Sequence, residues 1–241
     1  MTLRKPPPFP YWIAGVNFGN HKIWSTLSDG WMRTVIHNTD AGCIIRNVAW
    51  PPGERQRYLK PSHMENNWKL KWWREIVYQV DLPVVLMDTD CLVLQDIDTA
   101  WTEQPHDIIL TERGNKWVNA GVIFVRPGKT ANKFFDDWIK ADDHLLSLSR
   151  NKRNMDTGGY HIVGQNQLSL WSIFQENKKI IGWVPCQTYN SCEDRYWTQE
   201  GSKVIHVKSA LRTEVMRAMQ GRKVRRYPDI VQRILPYYQN E

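Results

Sequence analysis

The chain has 241 residues, 41% hydrophobic and 24% charged, the proportions of an ordinary globular domain, which exclude general disorder and collagen-like structure. Its longest apolar runs, such as Leu82 to Met87, fall far short of the ~20 residues that cross a bilayer. The net charge of +7 is unevenly placed: nine Lys/Arg against three Asp/Glu lie between Lys203 and Glu241, a basic tail on a near-neutral body that suits a polyanion or an anionic surface as readily as plain solvation.

The first ten residues (MTLRKPPPFP) lack the apolar core of a secretory signal. Four cysteines occur without CxxC or Cys/His spacing, so neither a zinc module nor a disulfide framework is expected. Reduced thiols in a cytoplasmic protein are the expectation.

Taken in chain order, Tyr11 to Val16 reads as a first strand and Arg33 to Asn38 (RTVIHN) as a second, with loop from Ala41 to Pro61. Glu65 to Val80 has helical spacing, with Trp68, Trp72 and Ile76 on one side. Leu82 to Met87 is continuously apolar, as a strand buried on both faces would be. Trp117 to Val125 contains a second such segment. Thr130 to Lys140 and Gly164 to Glu176 read as helices, Lys179 to Val184 and Lys203 to Val207 as strands, and Ala210 to Glu241 as two short helices broken at Tyr227-Pro228. Asn151 to Gly159 is polar and glycine-rich, a candidate mobile loop. Alternation of this kind predicts an α/β sheet with helices on both faces. The thirteen tryptophans, the pair Trp72-Trp73 included, are read as packing rather than a sugar platform.

The informative segment is LPVVLMDTDCLVLQDID, from Leu82 to Asp98. An apolar strand ends in Asp88-Thr89-Asp90, and open α/β sheets bind ligands at the carboxyl ends of their strands. Carboxylates at i and i+2 of an extended chain point the same way and repel unless a cation lies between them. An oxygen-preferring ion, Mg²⁺ or Mn²⁺, fits and would neutralise a departing diphosphate. The second copy of the pattern, Asp96-Ile97-Asp98, follows no apolar strand and reads as a turn and helix start. His206, in the late strand-like segment VIHVKS, could complete the ligand set, with Lys208 on its face for phosphate oxygens.

Together these blocks resemble the nucleotide-diphospho-sugar transferases of the GT-A fold, in particular glycogenin-like and related retaining glycosyltransferases. Lys71, seventeen residues before Asp88, stands near that family's donor-contacting basic residue; Leu86 to Asp90 resembles its DxD metal motif; Val118-Asn119-Ala120-Gly121-Val122 is similar to its FNAGV-type strand beside the donor sugar; and Val204 to Lys208 is similar to its late metal-histidine strand. The resemblance implies a Rossmann-like mixed sheet flanked by helices: a transferase domain over residues 1–209, with a basic helical extension over 210–241 packed on or beside it. It implies a UDP-sugar or other nucleotide-sugar donor and Mn²⁺ or Mg²⁺ held by Asp88, Asp90 and His206. Gly15, Asn17, Thr39 and Asp40 are expected near the base and ribose, Thr89 and Gly121 against the donor, and Asn119, Asn166 and Gln167 on sugar hydroxyls. Asn166-Gln167 stands where the family has Asp-Gln, and an amide cannot act as a base. Asp156, in the polar loop, is the candidate base for an inverting reaction, with Glu193 as a second. Ser209 to Arg212 replaces a glycine-rich stretch, and Arg212 is expected to take a phosphate contact.

The acceptor is open at this level: nucleic acid through the basic segment Gly221 to Arg226, including a modified base in DNA, or a polysaccharide, lipid-linked sugar or protein. A metal-dependent nuclease using Asp88 and Asp90, and a non-catalytic nucleic-acid-binding protein, are the alternatives from other classes.

Overall fold

The computed structural model describes residues 2–3, 10–18, 22–48, 61–113, 117–148, 165–197 and 201–239. A mixed sheet carries the fold. Its strands, in chain order, are β1 (Thr2–Leu3), β2 (Trp12–Phe18), β3 (Gly42–Val48), β4 (Val84–Asp88), β6 (Ile108–Glu112), β7 (Val118–Val125) and β8 (Ile181–Pro185), arranged β1-β3-β2-β4-β7-β6-β8. The strands β3, β2 and β4 are parallel; β7 runs antiparallel to both β4 and β6, and β8 is parallel to β6. A two-stranded antiparallel sheet, β5 (Cys91–Val93) with β9 (Val204–His206), continues from the end of β4. The sheet is mixed because its centre joins a parallel half to an antiparallel pair, β4 to β7.

The apolar segments fall where their composition places them. Every residue of β7 is buried, as are the first four of β4, consistent with central strands covered on both faces. One face is covered by α2 (Pro61–Gln79), α4 (Lys129–Ser147) and α5 (Gln165–Asn177), which contribute Leu70, Trp73, Phe134, Phe135, Trp138 and Leu170 to the core. The other face is covered by α1 (Lys22–Asn38) and the short α3 (Thr99–Glu103). Two one-turn helices, α6 (Cys186–Tyr189) and α7 (Asp194–Trp197), lead towards β9.

Residues 33–38 are not a strand. They complete α1, whose inward face is Leu27, Trp31 and Val35 at successive i+4 spacing. The β-branched run Thr34-Val35-Ile36 favours a strand locally, but the buried stripe decides the conformation. The strand that follows β2 and pairs with it in parallel is instead β3, inside the region read as loop. The helix read over Thr130 to Lys140 extends to Ser147, and the strand β6 stands out poorly in the sequence.

The basic tail forms α8 (Ser209–Met219), α9 (Pro228–Ile234) and a 3₁₀ turn (Leu235–Tyr238). Leu211, Val215, Ile230, Val231, Ile234 and Tyr238 pack with Leu27 of α1 and with Leu92, Ile205 and Val207 around the small sheet. Gly30 permits this contact: a Cβ there would lie 2.4 Å from Cε1 of Tyr238. Among the described residues no helix is long and apolar enough to cross a membrane.

Candidate functional site

The strand β4 delivers Asp88 at its carboxyl end, where it pairs in register with Val16 of β2. The chain then turns at Thr89-Asp90 and enters β5. Gly15 makes that turn fit, since a Cβ there would come within 2.7 Å of the Thr89 methyl and 3.1 Å of the Trp31 ring. Both Thr89 and Asp90 are buried.

His206 ends β9 opposite Cys91, which carries the imidazole to both acids. Its Nε2 lies 3.1 Å from Asp90 Oδ1 and 3.7 Å from Asp88 Oδ2. Lys69 Nζ donates to Asp88 Oδ1 at 2.6 Å, and Arg212 pairs with Asp90 Oδ2. Burial works to raise the Asp90 pKa, but the charges of His206, Arg212 and Lys69 outweigh it and hold the carboxyl well below the usual range.

A chain of hydrogen bonds fixes the imidazole. Asn119 Oδ1 accepts from the Gly121 N–H at 2.7 Å, which identifies that atom as the oxygen. Asn190 Nδ2 therefore donates to Asn119 Oδ1 at 2.8 Å and also to Thr111 Oγ1 at 2.9 Å. That leaves Asn190 Oδ1 to accept from His206 Nδ1 at 3.0 Å. With Nδ1 as donor, Nε2 faces the two carboxylates either as an N–H or as a lone pair directed at a cation.

The cluster offers donors to a divalent metal. Nε2 of His206, the nitrogen left available, faces an oxygen of each carboxylate, the ligand type that suits Mn²⁺ or Mg²⁺; among the described residues the donor atoms that all lie within 4.8 Å of one another are those of Asp90, Cys91 and His206. Two cationic side chains occupy the outer oxygens of the same carboxylates, so each acid already has a counter-charge.

Several expected site residues have partners away from the acidic pair. The lysine beside Asp88 is Lys69, which also sits 4.5 Å over the Trp73 ring, whereas Lys71 points to α4 and pairs with Asp143 at 3.3 Å. Lysines two apart on a helix project to different sides, and Lys69 shares the inward side of Trp73 and Ile76. Thr39 and Asp40 precede β3 and so stand at the opposite end of the parallel strands from Asp88; Thr39 Oγ1 donates to Val35 O at 2.7 Å. The residue beside Asn17 at the carboxyl end is Asn47, its register partner, which accepts from Asn17 Nδ2 at 3.2 Å. A cleft of about 130 Å³ opens there, lined by Asn17, Asn47, Ser28, Asp29 and Met32 among others.

Gln167 is turned into the sheet, where Oε1 accepts from Ala120 N at 3.0 Å and Nε2 donates to Val118 O. Asn166 is buried, its backbone carbonyl accepting from Trp138 Nε1 at 3.2 Å. Asn119 belongs to the chain that orients His206. Glu193 is paired with Arg195 at 2.7 Å. Asp156 and the polar loop Asn151 to Gly159 lie outside the described residues.

Lys208 follows His206 at the start of α8, and its charge reaches the Cys192 thiol. The pKa of that thiol is lowered, first by a hydrogen bond with Cys186 and then, against burial, by the charges of Lys208, Arg113 and His206. Asn190 and Lys69 were missed in the sequence. The helical phase of α2 contains the signal for Lys69; the segment YNSCEDRYW contains none that distinguishes Asn190.

No protein-family model matches the chain, and no curated protein matches it. Solved structures do. A glycosyltransferase described as involved in glycosylation of the major capsid of PBCV-1 is 16% identical, with a TM-score of 0.55, covering 88% of this chain and all of that one. The galactosyltransferase LgtC, solved with donor and acceptor sugar analogues, is 11% identical, with a TM-score of 0.58 and 94% and 95% of the two chains covered. The glycosyltransferase GlyE of Streptococcus pneumoniae TIGR4 is 11% identical, with a TM-score of 0.52, over 97% of this chain and 62% of its own. The strand order and these matches together show that the chain has the GT-A fold of the nucleotide-sugar glycosyltransferases.

Proposed function

We propose that the protein is a metal-dependent glycosyltransferase that moves a sugar from a nucleoside diphosphate donor, a UDP-sugar, to an acceptor hydroxyl. The observation that carries this reading is the convergence of Asp88, Asp90 and His206 at the carboxyl end of β4, where an open α/β sheet binds its ligand. Asp88, Asp90 and His206 would hold Mn²⁺ or Mg²⁺, which supplies charge neutralisation for the diphosphate.

The chain's own groups account for the rest. The cleft at Asn17 and Asn47 receives the base and ribose. Lys208 lies beyond His206 on the donor side and stabilises the leaving phosphates as charge develops. Arg212 and Lys69 turn from the carboxylates to phosphate oxygens when the donor enters, since each is a cation held beside one of the two acids. Asn119 and Gln167 are amides held by the fold, so neither accepts a proton. The acceptor proton then passes to the departing diphosphate, which accords with retention of anomeric configuration. The exposed basic residues Arg222, Lys223, Arg225 and Arg226 support an acceptor or carrier of anionic character. The reduced cysteines support a reducing compartment such as the cytoplasm.

The test is donor hydrolysis followed with Mn²⁺ present. Asp90→Ala, with its fold checked by circular dichroism, is expected to abolish it. Unchanged turnover in that variant, or cleavage of DNA without any sugar donor, overturns the reading.

A further inference from the structure

Beside the two acids lies a third donor that the proposed chemistry does not use. Cys91 opens β5 directly opposite His206 of β9, and residues paired across antiparallel strands project from the same face. A carboxylate oxygen of Asp90, Sγ of Cys91 and a ring nitrogen of His206 all lie within 4.8 Å of one another, and all three residues are buried. The thiol is engaged only weakly, with Gly121 O at 4.0 Å. His206 is held from behind by Asn190, the kind of support that orients metal-binding imidazoles.

The donor chemistry here differs from that of the adjoining set. Asp88, Asp90 and His206 offer two oxygens and a nitrogen, suited to a hard ion. With Cys91 in place of Asp88 the set becomes oxygen, nitrogen and sulfur, which favours Zn²⁺ and its softer relative Cd²⁺. Bond lengths of about 2.0–2.3 Å around a tetrahedral ion put its ligands roughly 3.3–3.8 Å apart. The three donors need only draw in by about an ångström. A water or donor phosphate oxygen would take the fourth position.

We propose that Asp90, Cys91 and His206 form a thiophilic metal site, taking Zn²⁺ or Cd²⁺, that overlaps the oxygen-preferring site and excludes its ion. Asp90 and His206 are common to both sets, so the two modes cannot be filled together. Zn²⁺ is then an inhibitor competitive with Mn²⁺. The competition rests on the glycosyltransferase reading, whereas the site itself does not.

The experiment titrates the full chain with Cd²⁺ and follows the ultraviolet thiolate-to-cadmium band. One equivalent is expected, with the band lost in Cys91→Ser and retained in Cys43→Ser, Cys186→Ser and Cys192→Ser. Survival in Cys91→Ser with loss in Cys186→Ser or Cys192→Ser assigns the metal to the other thiols and overturns the proposal, as does the absence of any band. X-ray absorption of the unsubstituted protein with one Zn²⁺ bound guards against a variant that fails to fold. One sulfur among the ligands is expected; none, or two, contradicts the site. Mn²⁺ uptake, read by electron paramagnetic resonance, should disappear after loading with Cd²⁺ and persist in Cys91→Ser. Lack of Mn²⁺ uptake by the unloaded protein would count against the proposed function while leaving a Cys91-dependent cadmium band to stand.

Discussion

The imidazole of His206 stands in the space that a side chain on Gly121 would need: a Cβ there would lie 2.7 Å from both Cε1 and Nδ1 of the ring and 2.9 Å from Asn119 Oδ1. None of these is the far end of a flexible chain, since His206 and Asn119 are both buried and hydrogen-bonded. Gly121→Ala should therefore push the ring out of line with Asp88 and Asp90. Overpacking of this size costs about 1–3 kcal/mol, so the domain should fold with a lowered Tm and lose Mn²⁺ affinity by more than about tenfold, measured by calorimetry. An alanine variant with native metal affinity would remove this glycine from the account.

Asn190 acts through His206. It spends both amide hydrogens on Asn119 and Thr111 and leaves its oxygen for Nδ1. Replacing it with Ala leaves His206 Nδ1 without its partner, at about 1–3 kcal/mol, while Asn119 and Thr111 keep their other bonds, and frees the ring to rotate. Loss of such a supporting partner typically costs 10–100-fold in metal affinity. Calorimetry should show that loss in Asn190→Ala, and a pH profile of metal binding displaced from that of the parent. A purely structural residue would lower Tm and leave the profile in place.

Lys69 and Asp88 form a largely buried ion pair at 2.6 Å. Removing one partner of such a pair leaves a charge uncompensated, at about 3–5 kcal/mol when fully buried and less here because Asp88 keeps some exposure. Lys69→Met should lower Tm, and saturating Mn²⁺ should restore more stability to the variant than to the parent, because the ion supplies the missing counter-charge. Differential scanning calorimetry with and without Mn²⁺ reads this directly. Equal metal-induced shifts in the two proteins would show that Lys69 does not share the site.

Asp90 gives a pH dependence of stated sign. Burial would raise its pKa, but His206, Arg212 and Lys69 together lower it. A lowered folded value means that its stabilising contribution is fully present above the unfolded value, about 4, and is lost as pH falls through the folded one. Asp90→Asn should therefore be destabilising at pH 7, and its penalty should shrink below pH 4 by up to ~1.4 kcal/mol per pH unit. Urea denaturation of both proteins at pH 7 and pH 3 measures the difference. A penalty of the same size at both values contradicts the assignment of a low folded pKa.

The central strands and the acidic turn were legible because their chemistry is local: β4 and β7 are continuous apolar runs, and an Asp-Thr-Asp after the first of them needs no partner to be noticed. Residues 33–38 misled because β-branched side chains outweigh a helical stripe whose other members, Leu27 and Trp31, lie in the preceding turns. That reading put the expected strand end at Thr39 and Asp40, which precede β3, whereas β3 ends at Val48, with Asn47 beside Asn17. Lys69 and Lys71 differ only in helical phase, which depends on which tryptophan faces the sheet. Asn190 could not be read at all, for its role comes from bonds to Thr111, Asn119 and His206, which are 79, 71 and 16 residues away.

The central claim is that a divalent ion and a nucleoside diphosphate meet at Asp88, Asp90 and His206. Isothermal calorimetry of UDP binding, with and without Mn²⁺, tests it most directly, in the parent protein and in Asp90→Ala. The account predicts that Mn²⁺ tightens UDP binding by at least about tenfold in the parent, a coupling of ~1.4 kcal/mol, and by nothing in the variant. UDP affinity indifferent to Mn²⁺ in the parent, or an equal gain in Asp90→Ala, would contradict it.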